Sequence, residues 1–233
     1  MEFERPKGLQ GPMVYSTFQI KSKNSDEIEG FLIQDLTEDR FDEAVRIIVD
    51  NHAKGAVLHK AAKTLSSECG LRRVNQMYLN VFKEKISLVC LKIDTMEIVG
   101  VNALTYRDSE ASNDPNFNHL RDIVGFLNNE SNVSEHYGVH RIIFAVGLCV
   151  VDKYRNRGIA TEILKARAPL LRCIGVKLTS TIFSTIAAQK AAKAAGYEEN
   201  YSISYEDLCK KFFKMDFSHV PLNGFCKVMS LKV

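Results

Sequence analysis

Six consecutive residues, Arg155-Asn156-Arg157-Gly158-Ile159-Ala160, set two cations and a glycine at the start of an apolar pattern. That combination suits an anion. Before it, Ile142 to Val151 (IIFAVGLCVV) is apolar and β-branched over about the length of a buried strand. After it, Ile159, Ile163, Ala166 and Leu170 recur at the three-and-four spacing of one helix face. A helix start presents unpaired backbone N–H groups, and a glycine lets the backbone approach a ligand closely. Asp152 to Ala160 is therefore expected to cradle phosphate, with Arg155 and Arg157 adding charge. Neither G-x-G-x-x-G nor G-x-x-x-x-G-K-[ST], the other phosphate fingerprints, is present.

The remaining chemistry-bearing residues are sparse. Six cysteines (Cys69, Cys90, Cys149, Cys173, Cys209, Cys226) lack C-x-x-C spacing and lie in apolar neighbourhoods, as buried thiols of a reducing compartment would, and the cytoplasm is the expected location. His119, His136, His140 and His219 have no metal-ligand spacing, so no metal is expected. A net charge of +3, with no basic run interleaved with aromatics, argues against nucleic acid. No apolar stretch approaches the ~20 residues of a membrane span.

The elements that must position the turn can be read along the chain. At 233 residues with 45% hydrophobic and 25% charged residues, the chain reads as one globular domain over 31–233, preceded by a tail and lead-in over 1–30. Phe31 to Leu36 is a strand, Thr37 caps a helix carrying Phe41, Val45 and Ile48, and shorter helices cover Val57 to Thr64 and Val74 to Lys85. Ile86 to Ile93 and Ile98 to Tyr106 form a hairpin across a four-residue connection. Arg107 to Asn118 is a polar loop, and Leu120, Ile123, Val124 and Leu127 mark a helix before the strand at Ile142. The helix from Gly158 contains Pro169, which should bend or end it early, since an interior proline costs ~3 kcal/mol. Val176 to Phe183 is a strand, Ser184 or Thr185 caps Ile186 to Ala195, and Gly196 ends that helix. Strands at Glu198 to Tyr205 and Lys227 to Lys232 flank an irregular stretch. This order implies an α/β fold: a mixed central sheet of about seven strands with helices on both faces.

The spelling R/Q-x-x-G-x-G/A at Arg155 to Ala160 recurs by chance in about one chain in four of this length, so its setting between strand and helix carries the weight. In that setting it resembles the coenzyme A loop of the GNAT N-acetyltransferases, over about Phe31 to Val233. The helices after the first one, TIFSTIAAQKAAKAAGY and the closing HVPLNGFCKVMSLKV look most like the insect-type arylalkylamine N-acetyltransferases. The resemblance implies acetyl-CoA as acyl donor and direct attack by a small amine in a ternary complex. It places the backbone N–H groups of Leu148, Cys149 and Val150 at a splayed strand edge on pantetheine and thioester carbonyl, and those of Arg157, Gly158, Ile159, Ala160 and Thr161 on the diphosphate. Monomer or weak homodimer is the expected state.

The resemblance also exposes a gap. The family's catalytic glutamate falls on Ala56 within Lys54-Gly55-Ala56-Val57-Leu58, and the second of two family hydroxyls falls on Ala188, while the first is Ser184. Ser184 is then either a proton relay to the leaving thiolate or only a helix cap. Glu43, His52 and His59 are the candidates to replace the base, with His59 first, because imidazole titrates near neutrality. Without that glutamate the acceptor could be an arylalkylamine, or else a polyamine, a hydrazine-like amine or a peptide amine. A non-catalytic acyl-CoA-binding protein is the alternative from another class.

Overall fold

The computed structural model describes residues 11–22, 26–106 and 115–233. In chain order these form β1 (Val14–Lys21), β2 (Ile28–Asp35), α1 (Phe41–Ile48), α2 (Val57–Ala61), α3 (Glu68–Phe82), β3 (Leu88–Lys92) and β4 (Ile98–Thr105). There follow α4 (Pro115–Ser131), α5 (Val133–Tyr137), β5 (Ile142–Val150), α6 (Ile159–Ile174), β6 (Leu178–Phe183), α7 (Ile186–Ala194), β7 (Glu198–Ser204), α8 (Tyr205–Lys211) and β8 (Phe225–Lys232). The sheet runs β1-β2-β3-β4-β5-β6-β8-β7, with β5 and β6 parallel and the other pairs antiparallel. The mixed sheet of the sequence reading is present, with eight strands where about seven were expected. The polar loop expected from Arg107 lies outside the described residues as far as 114.

Two apolar layers sandwich the sheet. On one face α6 packs Ile159, Ile163, Ala166, Leu170 and Ile174 against Phe31, Val99 and Ile143. On the other, Val45 and Ile48 of α1 and Val74, Tyr78 and Phe82 of α3 meet Val89, Val101 and Cys149. A third cluster joins Ile123 and Leu127 of α4 to Leu178, Tyr205 and Val228.

Four local readings are corrected. The lead-in contributes β1, whose Phe18 and Ile20 pack on the core; the alternation Thr17-Phe18-Gln19-Ile20-Lys21 is the local signal for it, and a register shift between Val14 and Ser16 interrupts it only at the start. Of the two outcomes expected at Pro169, an early end does not occur: the helix continues to Ile174 and closes on Gly175 at φ 70°, the residue the sequence offers for that end. Burial of Leu170, Leu171 and Ile174 outweighs the missing hydrogen bond. α3 starts six residues before Val74, where the Ser67 hydroxyl accepts from the Gly70 N–H at 3.0 Å. The stretch after β7 contains α8, capped by Ser204, whose Oγ accepts from the Asp207 N–H at 3.1 Å. The spelling Ser204-x-x-Asp207 is a capping signal that marks this helix in the sequence.

Candidate active site

β5 carries the site because it leaves both neighbours. Its ladder with β4 slips between Ala103 and Leu104, leaving Val146 unmatched, and its parallel ladder with β6 stops at Phe144 opposite Ser180. Beyond that pair the two strands enclose a cleft of about 1330 Å³. The Val151 N–H donates to Val99 O at 2.9 Å, which sets the antiparallel alternation: Cys149 faces β4, while the N–H groups of Leu148 and Val150 turn to the open edge. The expectation of three edge donors is thereby corrected to two, because Cys149 is committed to the ladder. Its thiol accompanies the opposite face, donating to Ile47 O at 3.9 Å, and burial pushes its pKa up to about 12.

At the end of β5 the chain turns through Asn156 (φ 62°) and Gly158 (φ 83°) into the 16 residues of α6. A Cβ built on Gly158 would meet nothing within 4 Å, so the turn faces open space, and Gly158, Ile159, Ala160 and Thr161 line the cleft. The first-turn amides of α6 are aimed there with the positive end of the helix. The two arginines part company. Arg155 lines the cleft and ties it together, with Nε donating to Val150 O at 2.9 Å and Nη2 to Asn51 O at 2.8 Å. Arg157 turns away: its side chain is 6% exposed, ion-paired with Glu29, bonded to Lys21 O and stacked over Phe31 and Tyr154. The expected charge from Arg157 is therefore spent inside the fold, leaving that residue its backbone amide.

The cleft fits a coenzyme A group on two counts. Ser180, at the last β5–β6 pair, has a buried hydroxyl with no partner and belongs to the cleft wall. Gly158 supplies the open cradle at a helix start.

The opposite end is assembled from distant segments. Ala56 lines the cleft as α2 begins, so the position matched to the family glutamate faces the site without a carboxylate. His52, in the irregular turn after α1, and His59, on α2, lie in the wall with ring centroids 6.2 Å apart. Gly147 permits this approach, since a Cβ there would come within 2.9 Å of His52 Cδ2 and 3.1 Å of the Tyr78 hydroxyl. His59 Nδ1 lies 2.7 Å from Thr64 Oγ1. Burial lowers the pKa of His52 to about 4; burial and then the neighbouring His52 lower that of His59 to about 3. Both imidazoles are neutral across the physiological range. Glu43 stands outside the cleft wall, bound to Arg40 at 2.7 Å, and this geometry removes it as a base candidate.

Ser184 lines the cleft, but the cap of α7 is Thr185, whose Oγ1 accepts from the Ala188 N–H at 3.3 Å. The capping alternative therefore passes to Thr185. The backbone carbonyl of Ser184 accepts from the Tyr205 hydroxyl, which fixes the turn. The sequence reading missed Glu84, the only carboxylate among the described cleft residues, which accepts from Thr105 Oγ1 at 2.7 Å and the Tyr106 N–H at 2.8 Å. It also missed the wall of Met77, Val81, Phe117, Leu120 and Val124 from α3 and α4. Only their helical periodicity was visible, and nothing local turned that face toward β5.

All six cysteines are unpaired. Among the described residues there is no metal-binding cluster, and no helix is long and apolar enough to cross a membrane.

No protein-family model matches the chain, and no curated protein matches it. Solved structures do. The protein named arylalkylamine N-acetyltransferase 7 of the yellow fever mosquito Aedes aegypti aligns over 99% of this chain and 99% of its own, at 33% identity and TM-score 0.91. A mosquito arylalkylamine N-acetyltransferase like 5b (15% identity, TM-score 0.73) covers 87% of this chain and 100% of its own. The Drosophila melanogaster polyamine N-acetyltransferase, which forms N-acetylagmatine, covers the same shares at 12% identity and TM-score 0.74. The last two share the fold.

Proposed function

We propose that this chain, which belongs to the insect arylalkylamine N-acetyltransferase family of GNAT acyltransferases, transfers the acetyl group of acetyl-CoA to a small primary amine by direct attack in a ternary complex. The observation that carries the reading is the continuous cleft from the Gly158 turn, along the open edge of β5, to His52 and His59. Acetyl-CoA supplies the activated thioester. The amides of Gly158, Ile159, Ala160 and Thr161 would hold its diphosphate, and Arg155, itself paired with Asp152 at 2.8 Å, would bring guanidinium donors more than net charge to that end. The N–H groups of Leu148 and Val150 are the donors for the oxygen on which charge develops.

For the proton, neutral His59 offers an unprotonated ring nitrogen if Nδ1 donates to Thr64 Oγ1. A ring with so low a pKa is a weak proton acceptor and serves by accepting a hydrogen bond from an amine that arrives neutral, so the amine itself sets the pH dependence. Ser184, in the cleft wall, is the residue proposed to return a proton at its Oγ. The acceptor end favours an arylalkylamine: Met77, Phe117, Leu120 and Val124 offer apolar surface to an aromatic body, whereas a polyamine needs carboxylates and Glu84 is already bound to Thr105 and Tyr106.

The test is binding, then turnover. Acetyl-CoA and coenzyme A should each raise the Tm and bind with a Kd of about micromolar order. Arylalkylamines should release thiol faster than polyamines, hydrazines or peptide amines of equal concentration. Absence of any thermal shift at saturating acetyl-CoA refutes the function; binding without thiol release from any amine establishes the non-catalytic alternative.

A further inference from the structure

Arg167 is a fully buried cation in the middle of α6 with neutral partners. Its Nε donates to Asn102 Oδ1 on β4 at 2.7 Å, and its Nη1 donates to Thr181 Oγ1 at 2.7 Å and Thr179 Oγ1 at 3.4 Å, both on β6. Asn102 Nδ2 donates onward to Gly147 O on β5 at 2.9 Å. One guanidinium thus ties three strands together beneath the place where the β5–β6 ladder ends. Its Nη2 makes no well-aligned hydrogen bond, the Tyr197 phenol being its one looser partner. The Tyr197 ring lies 5.8 Å from the guanidinium carbon, and that phenol, itself raised in pKa by burial, is the one titratable group acting on it. Among the described residues no carboxylate compensates this charge.

A buried cation with no counter-ion is costly, and an apolar side chain of similar length generally serves stability as well or better. The position of Arg167 suggests what it does instead. Thr181 and Ser180 are part of the cleft wall, and Gly147 precedes the Leu148 donor on the open edge. On the other side of that edge stand His52 and His59, both neutral, with the Cys149 thiol and the Tyr78 phenol, which burial keeps protonated; Glu84 and Arg155 are among the charged groups elsewhere in the same wall.

We infer that Arg167 is a positioning residue for the leaving group: it fixes the opening between β5 and β6 and sets a buried positive charge behind it, favouring the thiolate of bound coenzyme A. This inference rests on the acetyl-CoA reading above. When the C–S bond breaks, the electron pair stays on sulfur, and a charge held in a dry pocket stabilises it without reorganising.

The test titrates the thiol of bound coenzyme A by its thiolate absorbance, in the parent protein, Arg167→Met and Arg167→Lys. In the parent, the bound thiol should titrate about one unit below free coenzyme A. Arg167→Met should restore the free value and lower kcat about tenfold with KM for acetyl-CoA unchanged, while Arg167→Lys, which keeps the charge, should retain most of the shift. A bound thiol that titrates like free coenzyme A in the parent, or remains shifted in Arg167→Met, overturns the inference. If Arg167→Met does not fold, Arg167→Gln, which removes the charge but keeps an amide donor for Asn102, takes its place, and a shift retained there overturns the inference. Failure of the parent to bind coenzyme A refutes the acetyl-CoA reading instead, so the two failures are distinct.

Discussion

The two ends of the cleft are built by different means. The end proposed for the anion is one continuous segment, β5, turn and α6, and what it offers is backbone amides oriented by a helix start and a left-handed glycine. The acceptor end draws on the turn after α1, on α2, α3, α4 and the start of α7, and its chemistry resides in side chains whose neighbours set their protonation. A backbone site can be spelled in six residues. A side-chain site exists only once distant elements have packed.

The largest expected effect breaks the first end. Gly158→Val should weaken coenzyme A binding by at least about a hundredfold in calorimetry, because valine resists a φ of 83° and its methyls enter the open cradle. An unchanged Kd would remove the turn from the site. Arg157→Ala should act differently: with the Lys21 carbonyl unpartnered and Glu29 left with Lys92 alone, Tm falls while affinity changes little.

At the acceptor end the first effect is on acid stability. A histidine whose folded pKa is depressed is matched by an unfolded chain that binds more protons below about pH 6.5. Its contribution is therefore fully present above pH 6.5 and is lost as pH falls toward about 3 for His59 and about 4 for His52. Urea denaturation should show stability dropping across that window, by on the order of 3 kcal/mol from His52 and about 5 kcal/mol from His59, and His59→Ala should flatten the drop. For the same reason kcat/KM should show no ascending limb near pH 6.5; the limb should move with the pKa of the amine used. A limb that stays near 6.5 for every amine would restore an ordinary imidazole base.

The smallest effects sharpen the comparison at α7. Ser184→Ala should lower kcat several-fold with Tm unchanged, whereas Thr185→Ala should cost about 1 kcal/mol of stability and leave turnover intact. The reverse outcome would return the cap to Ser184.

The sequence by itself determined the elements with strong local signals: the β3–β4 hairpin, the strand and helix around Gly158, and Gly196 closing α7. It also singled out Ala56 and Ser184, both of which the fold brings to the cleft wall. Tertiary structure decided the rest. Whether Arg155 or Arg157 serves the cleft depends on Glu29, 128 residues away from Arg157 in the chain. Leu148, Cys149 and Val150 read alike as strand core, and only the β4 register shows which amides are free. Histidine is expected to titrate near neutrality until burial depresses His52 and His59, and Glu43 is an acid near the right segment until α1 turns it outward to Arg40. Residue type and spacing encode what a chain segment can form with its own neighbours, whereas the state of a side chain is set by the dielectric and the partners that packing brings to it.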